Sequence, residues 1–163
     1  MVQQRHQDGN SELVVDDSHY PILIVTWFGE PTHGLAHVYQ RWEVEQRERA
    51  KASGTRLVSL NDGTHATRPS PSVRKIFSEF EVPDASLVLE SVVVVTNPLI
   101  RGGITAIKWV VGDKFANVDL VDSSAAAIAR CFEVLDQHDI ARPKGLSVQS
   151  YEPPRASLRT ANA

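Results

Sequence analysis

The chain is poor in several things. It has one cysteine, Cys131, and one methionine among 163 residues. A single cysteine excludes an intramolecular disulfide and any multi-cysteine zinc site. Long apolar runs are also missing. The most hydrophobic stretches, residues 20–28 and 92–95, fall well short of the roughly 18 apolar residues a membrane helix needs. Residues 1–10 are polar throughout, without the apolar centre of an export signal. Basic residues are in no excess: 17 Lys+Arg stand against 20 Asp+Glu, for a formal charge of -3 and a pI near 6.1. That balance excludes nucleic acid as the partner of the domain, because neutralising phosphates takes a clustered basic surface. The expectation is a cytoplasmic protein with no transmembrane segment.

What is present is ordinary globular composition, 42% apolar and 23% charged. A chain of this length reads as one domain, able to bury about 70% of the surface its unfolded form exposes. Charge is unevenly spread. Residues 141–163 carry Arg142, Lys144, Arg155 and Arg159 against Glu152, a net of +3, which leaves -6 on residues 1–140. Residues 1–10 read as a disordered lead-in, 11–140 as the folded domain, and 141–163 as a flexible basic tail without apolar periodicity. The basic tail leaves an electrostatic contact with an anionic partner open.

Within the domain, strand and helix patterns alternate. A short apolar strand over 12–16 and a β-branched and aromatic one over 20–28 are close enough to form a hairpin. A helix is predicted from Thr32 to Gly54, with Leu35, Val38, Tyr39 and Trp42 on its apolar stripe. Its second half is strongly charged, with Glu43/Arg47 and Glu45/Arg49 at i,i+4 spacing. A strand follows over 56–60, ending in the turn-like Asn61-Asp62-Gly63. Ser70-Pro71 announces a second helix carrying Val73, Ile76, Phe77 and Phe80. Residues 87–96 form a strand covered on both faces. Asn97-Pro98 opens a third helix carried by Ile100, Ile104, Ile107 and Val111, with Gly102-Gly103 inside it. Residues 116–121 give a last strand, and Asp122-Ser123 caps a final helix burying Ala125, Ile128, Cys131, Phe132 and Leu135. This order predicts an α/β fold: a mixed, mostly parallel five-stranded sheet with an N-terminal antiparallel hairpin and four helices.

Few residues suggest chemistry. His33 and His37 stand at i,i+4, a spacing that suits zinc. They lie off the apolar stripe and lack a third ligand, so they read as a solvated face and no metal is expected. Cys131 sits on an apolar helix face and reads as inert packing. Gly102-Gly103 matches neither a P-loop nor a dinucleotide fingerprint, and no cofactor is expected. Asp62, Thr64 and His65 occupy the connection after a central parallel strand, and ligands of open α/β sheets gather at that end. Ser70 and Ser72 frame the amino end of the second helix, where free N–H groups favour a phosphate. Asp62, Thr64, Ser70 and Ser72 are therefore the partner-binding or phosphoacceptor candidates.

Four stretches carry a resemblance. They are Pro21–Pro31 leading into a long helix, Arg56–Asp62 with its strand-ending Asp, Ser91–Pro98 (Ser-Val-Val-Val-Val-Thr-Asn-Pro), and Asn117–Ala125 (Asn-Val-Asp-Leu-Val-Asp-Ser-Ser-Ala). Over roughly residues 11–138 the pattern resembles the STAS-like, SpoIIAA-like family of bacterial proteins. The resemblance implies a small non-enzymatic regulatory or interaction module with a protein partner, docked on the Asp62–Ser72 surface. Anti-sigma-factor antagonists of the wider family are phosphorylated at a Ser opening the second helix, within Asp-Ser-x-Gly. By order of elements that site falls on residues 67–72, Thr-Arg-Pro-Ser-Pro-Ser, where the motif is absent. Asp122-Ser123-Ser124 mimics its start but comes too late in the chain. Reversible phosphorylation at Ser70 or Ser72 is one alternative reading. A small apolar-ligand or peripheral lipid carrier, suggested by Phe77, Phe80 and the Gly102-Gly103 helix, is the other.

Overall fold

A computed structural model describes residues 2–81, 83–98 and 117–157. Six strands form one sheet in the order of the chain. They are β1 (Gln3–Asp8), β2 (Ser11–Asp16), β3 (Ile22–Gly29), β4 (Leu57–Ala66), β5 (Val88–Val94) and β6 (Val118–Val121). β1/β2 and β2/β3 pair antiparallel, while β3/β4, β4/β5 and β5/β6 pair parallel. Three α-helices lie among the described residues: α1 (His33–Ser53), α2 (Pro71–Glu79) and α3 (Ser124–Gln137). The α/β class, the β2–β3 hairpin and the parallel half are as the alternating patterns predict. The helix expected from residue 98 onward, with its Gly102-Gly103 pair, lies outside the described residues.

Alternation along each strand sends side chains to two cores. On one face Leu13, Val15, Leu23, Val25 and Leu57 pack under Leu35, Trp42 and Ala50 of α1. On the other, Ile22, Ile24, Val58, Leu60, Val92 and Val94 pack under α3 through Ala127, Ile128, Cys131 and Leu135. Each fully buried aliphatic side chain contributes about 1.5–3 kcal/mol relative to exposure. Both long helices end as their sequences dictate. Thr32 caps α1 by accepting from Leu35 N at 3.2 Å, and Gly54 closes it in the left-handed region at φ 65. Gly29, at φ 72, turns β3 toward α1, and a Cβ there would lie 3.1 Å from the Asn10 carbonyl oxygen. Only glycine fits both conditions.

The structure differs from the sequence reading in four places. Residues 1–10 are not a disordered lead-in, since Gln3–Asp8 pairs residue for residue with β2. This edge strand is held by backbone hydrogen bonds and polar side chains, so it shows no apolar alternation to read. β4 does not stop at Leu60 but runs to Ala66, because β3 offers partners as far as Gly29 across a register shift between Thr26 and Phe28. Sheet pairing thus overrides the turn propensity of Asn61-Asp62-Gly63. Residues 141–163 are not wholly a loose tail: Leu146 is buried, and Val148 and Tyr151 pack against the α3-side core. Three apolar residues at irregular spacing leave no periodic trace. Finally, of the two i,i+4 pairs expected in the charged half of α1, only the first forms. Glu43 and Arg47 are buried and pair at 2.6 Å, and Arg49 binds Asp17 at 2.9 Å and stacks over Tyr20 rather than pairing with Glu45.

Candidate functional site

The parallel strands deliver their carboxyl ends to one rim of the sheet. There β4 projects beyond β5 and leads through Thr67–Pro69 into α2. The projection is pinned to β3, for Thr67 N donates to the Gly29 carbonyl at 2.9 Å and the exposed His65 ring stacks on Phe28, centroids 5.6 Å apart. Ser70 caps α2, with its Oγ accepting from Val73 N at 3.4 Å, and Pro71 occupies the first helical position.

The four candidate residues fall into two pairs. Asp62 is buried, and its Oδ1 accepts from Thr64 N at 2.9 Å while its Oδ2 accepts from the Ser124 hydroxyl at 3.3 Å. This carboxylate therefore ties β4 to the first residue of α3 and is not presented to solvent. Thr64 is half-buried beside it. Ser70 and Ser72 share a hydrogen bond of 3.1 Å between their hydroxyls. Ser72 is exposed, whereas Ser70 is half-buried and engaged in the cap. No hydrogen bond joins the Asp62 pair to the serine pair among the described residues. The exposed part of this surface is consequently His65, Thr67, Arg68 and Ser72, of which only Ser72 was singled out as a partner-binding candidate.

A cleft of about 400 Å³ adjoins Ser70 and Val73, bounded by Asp8–Ser11 of the β1–β2 turn and Glu30–His33 of the β3–α1 connection. Asp8 stands at the amino end of α1, where its Oδ2 accepts from the Thr32 hydroxyl at 2.6 Å. The positive end of that helix is thus matched by a carboxylate from the chain itself. Sequence reasoning missed Asp8 because it stands in a strand with no apolar pattern. The Ser124 partnership was equally hidden, since capping alone accounts for an Asp-Ser-Ser run, which here caps through Ser123 Oγ accepting from Ala126 N at 3.2 Å.

His33 and His37 are exposed, His37 bonding Gln40, and no group of three His, Cys, Asp or Glu side chains among the described residues is arranged to hold a metal ion. Cys131 is buried, and desolvation pushes its thiol up to about 12. Burial, and then the neighbouring Glu43 carboxylate, hold the Tyr39 hydroxyl well above its ordinary range. Arg130 is held protonated by hydrogen bonds to Glu90, made through Nε and Nη2 at 2.7 Å each. Phe77 packs edge-on to Trp27 and Tyr39 at 5.9 and 6.2 Å.

No protein-family model matches the chain, and no curated protein matches it. Solved structures do. An uncharacterised protein of the DUF3478 family with a SpoIIAA-like fold, from Shewanella loihica PV-4, is 12% identical and superposes with a TM-score of 0.50, covering 80% of this chain and 92% of that one. An anti-sigma factor antagonist from Mycobacterium paratuberculosis is 12% identical with a TM-score of 0.43, over 78% of this chain and 99% of that one. The chain has a SpoIIAA-like α/β fold. No helix among the described residues is long and apolar enough to cross a membrane.

Proposed function

We propose that the chain is a non-enzymatic, STAS-like interaction module of the bacterial cytoplasm that docks a protein partner on the rim from His65 to the first turn of α2. The observation that carries this reading is the division of labour at the rim. Asp62 is turned inward as a brace that holds the Thr64 N–H, while Thr67, Arg68 and Ser72 are displayed on the connection from β4 and the first turn of α2. A surface braced in this way loses little conformational entropy on binding. Asp62 and Thr64 therefore act as positioning residues, and Ser72 as a contact.

A photo-crosslinking side chain placed at Thr67, and separately at Glu133 on the far face of α3, tests the reading in the source cell. One discrete adduct from the Thr67 position, absent from the Glu133 position, is the expected result. Equal adducts from both, or none from Thr67, would overturn it.

Phosphorylation at Ser72 is the second reading, favoured by its exposure in the first turn of α2. Phosphate there adds about -1.5 to -2 charge near the positive end of the α2 dipole and changes what the rim accepts. Peptide mass spectrometry of residues 67–72, after incubation with kinases of the source cell, checks it. An unmodified peptide would end the idea. The apolar-carrier reading draws less support, because Phe77 already packs against Trp27 and Tyr39.

A further inference from the structure

β1 is an edge of the sheet, and nothing among the described residues closes it. Gln3–Asp8 pairs with β2 residue for residue, without a bulge. On the side away from β2 its backbone groups have no backbone partner among the described residues. Every residue of the strand is exposed except His6, which is half-buried. Residues 146–157 pass over the face of the sheet that holds the buried carboxylates of Glu12 and Asp16, not along its edge. Ser157 N donates to Glu12 Oε2 at 3.0 Å, one strand inside β1. Natural sheet edges are blunted by lysine, proline or a bulge. β1 has none of these.

The hairpin decides which groups face outward. Gly9, at φ 60, and Asn10 form a two-residue turn closed by the Asp8–Ser11 pair. The pair that closes such a turn is hydrogen-bonded across the hairpin, and the pattern alternates from there. Asp8, His6 and Gln4 therefore spend their N–H and C=O groups on β2. Gln7, Arg5 and Gln3 direct theirs outward, one donor and one acceptor each. Side chains alternate as well. Asp8 accepts from Thr32 on the α1 face, which Gln4 and His6 share, while Arg5 on Glu12 and Gln7 on Ser157 occupy the other.

A second copy of the same edge matches these groups. Two antiparallel edges related by a two-fold axis keep each face on its own side, so every residue opposes one of its own parity. Only two such registers pair five of the six strand residues, one centred on Arg5 and one on His6. Centring on Arg5 sets guanidinium against guanidinium, and like charges directly opposite are destabilising. Centring on His6 sets Arg5 opposite Gln7 and Gln4 opposite Asp8, each twice. Each Arg5–Gln7 pair then exchanges both outward backbone hydrogen bonds, and each Gln4 amide meets a carboxylate.

We propose that β1 is a self-association edge, through which two copies of this chain join antiparallel over Gln4–Asp8, with His6 on the two-fold axis, to make one continuous sheet. Each copy has one β1, so the pairing closes at two. A single pair of edge strands buries less than a standard interface, so the dimer is a reversible one. This inference does not rest on the docking rim at α2.

Sedimentation velocity of the full chain, from about 1 µM to about 1 mM, reads the association. A monomer–dimer equilibrium is expected; a monomer throughout, or assembly beyond two copies, would overturn the proposal. Gln7→Pro removes an outward N–H without touching a backbone bond to β2, and His6→Lys sets two ammonium groups against each other on the axis. Each is expected to weaken the dimer about tenfold or more, with the circular dichroism of the chain unchanged. An unchanged dissociation constant in either folded variant would refute the edge; should Gln7→Pro not fold, His6→Lys decides. Cysteine cross-linking reads the register. Under mild oxidation His6→Cys is expected to form a disulfide-linked dimer about tenfold faster than Gln4→Cys, because His6 opposes itself and Gln4 opposes Asp8. Cys131 is buried and takes no part. Equal rates, or faster linking through Gln4→Cys, would count against the pairing.

Discussion

Ser124 opens α3 with its hydroxyl on Asp62 Oδ2, 62 residues earlier in the chain, while Oδ1 of the same carboxylate holds the Thr64 N–H. One buried carboxylate thereby joins a central strand, its extension and the amino end of a helix. Asp62→Ala leaves the Thr64 N–H and the Ser124 hydroxyl without their acceptor, and is expected to cost about 1–3 kcal/mol. Asp62→Asn keeps an acceptor for Thr64 and should cost less. Urea unfolding monitored by tryptophan fluorescence checks both; a midpoint unchanged in Asp62→Ala would remove the brace from the account of the rim.

Asp8 and Gly34 are coupled in one prediction. A Cβ on Gly34 would lie 2.8 Å from Asp8 Oδ2, the atom that accepts from Thr32. Gly34→Ala alone pushes this exposed carboxylate off Thr32, and is expected to gain less than the about 1 kcal/mol that alanine's helix propensity offers. In an Asp8→Ala background the same substitution should realise that gain in full. A double-mutant cycle from thermal or urea unfolding decides, and additive effects would contradict the contact.

The Glu43–Arg47 pair is buried beneath the Pro83–Asp84 turn, whose carbonyls accept from Arg47 Nη1 at 3.4 and 3.3 Å. Arg47→Met leaves an unpaired carboxylate in the interior and is expected to cost about 3–5 kcal/mol. The double variant Glu43→Leu/Arg47→Met should recover most of that loss. An exposed i,i+4 pair would instead show about 0.3–0.5 kcal/mol in the single variant.

Cys131 sets a pH dependence. Burial pushes the native thiol up to about 12 from its ordinary value near 9.0, so the folded state binds this proton more tightly than the unfolded one. Its contribution to stability is full below pH about 9 and drains away as pH rises toward 12. Stability is expected to fall over that window, less steeply in Cys131→Ala. At pH 8 the native thiol should resist a disulfide reagent that reacts at once with the chain in urea; rapid native reaction would mean that the sulfur is reachable.

Some of these features are written locally and some are not. Ser70-Pro71 announces the start of α2 because a cap and a proline act within one turn. Thr32 and Gly54 bound α1 for the same reason. The Glu43/Arg47 spacing announces a pair, but only the turn at Pro83 and Asp84 makes it a buried one. Asp62 stood out as a strand-ending acid, and strand alternation puts it on the face of Val58 and Leu60; its partner Ser124 is one that no local pattern links to it.

Element order and the α/β class follow from the sequence by itself, because hydrophobic period and capping are properties of neighbours along the chain. The tertiary structure decided the rest: that a polar stretch at Gln3–Asp8 becomes an edge strand, that residues 146–157 close over buried carboxylates, and that the rim displays Ser72 while hiding Asp62. Each depends on partners tens of residues away, brought together only when the sheet forms.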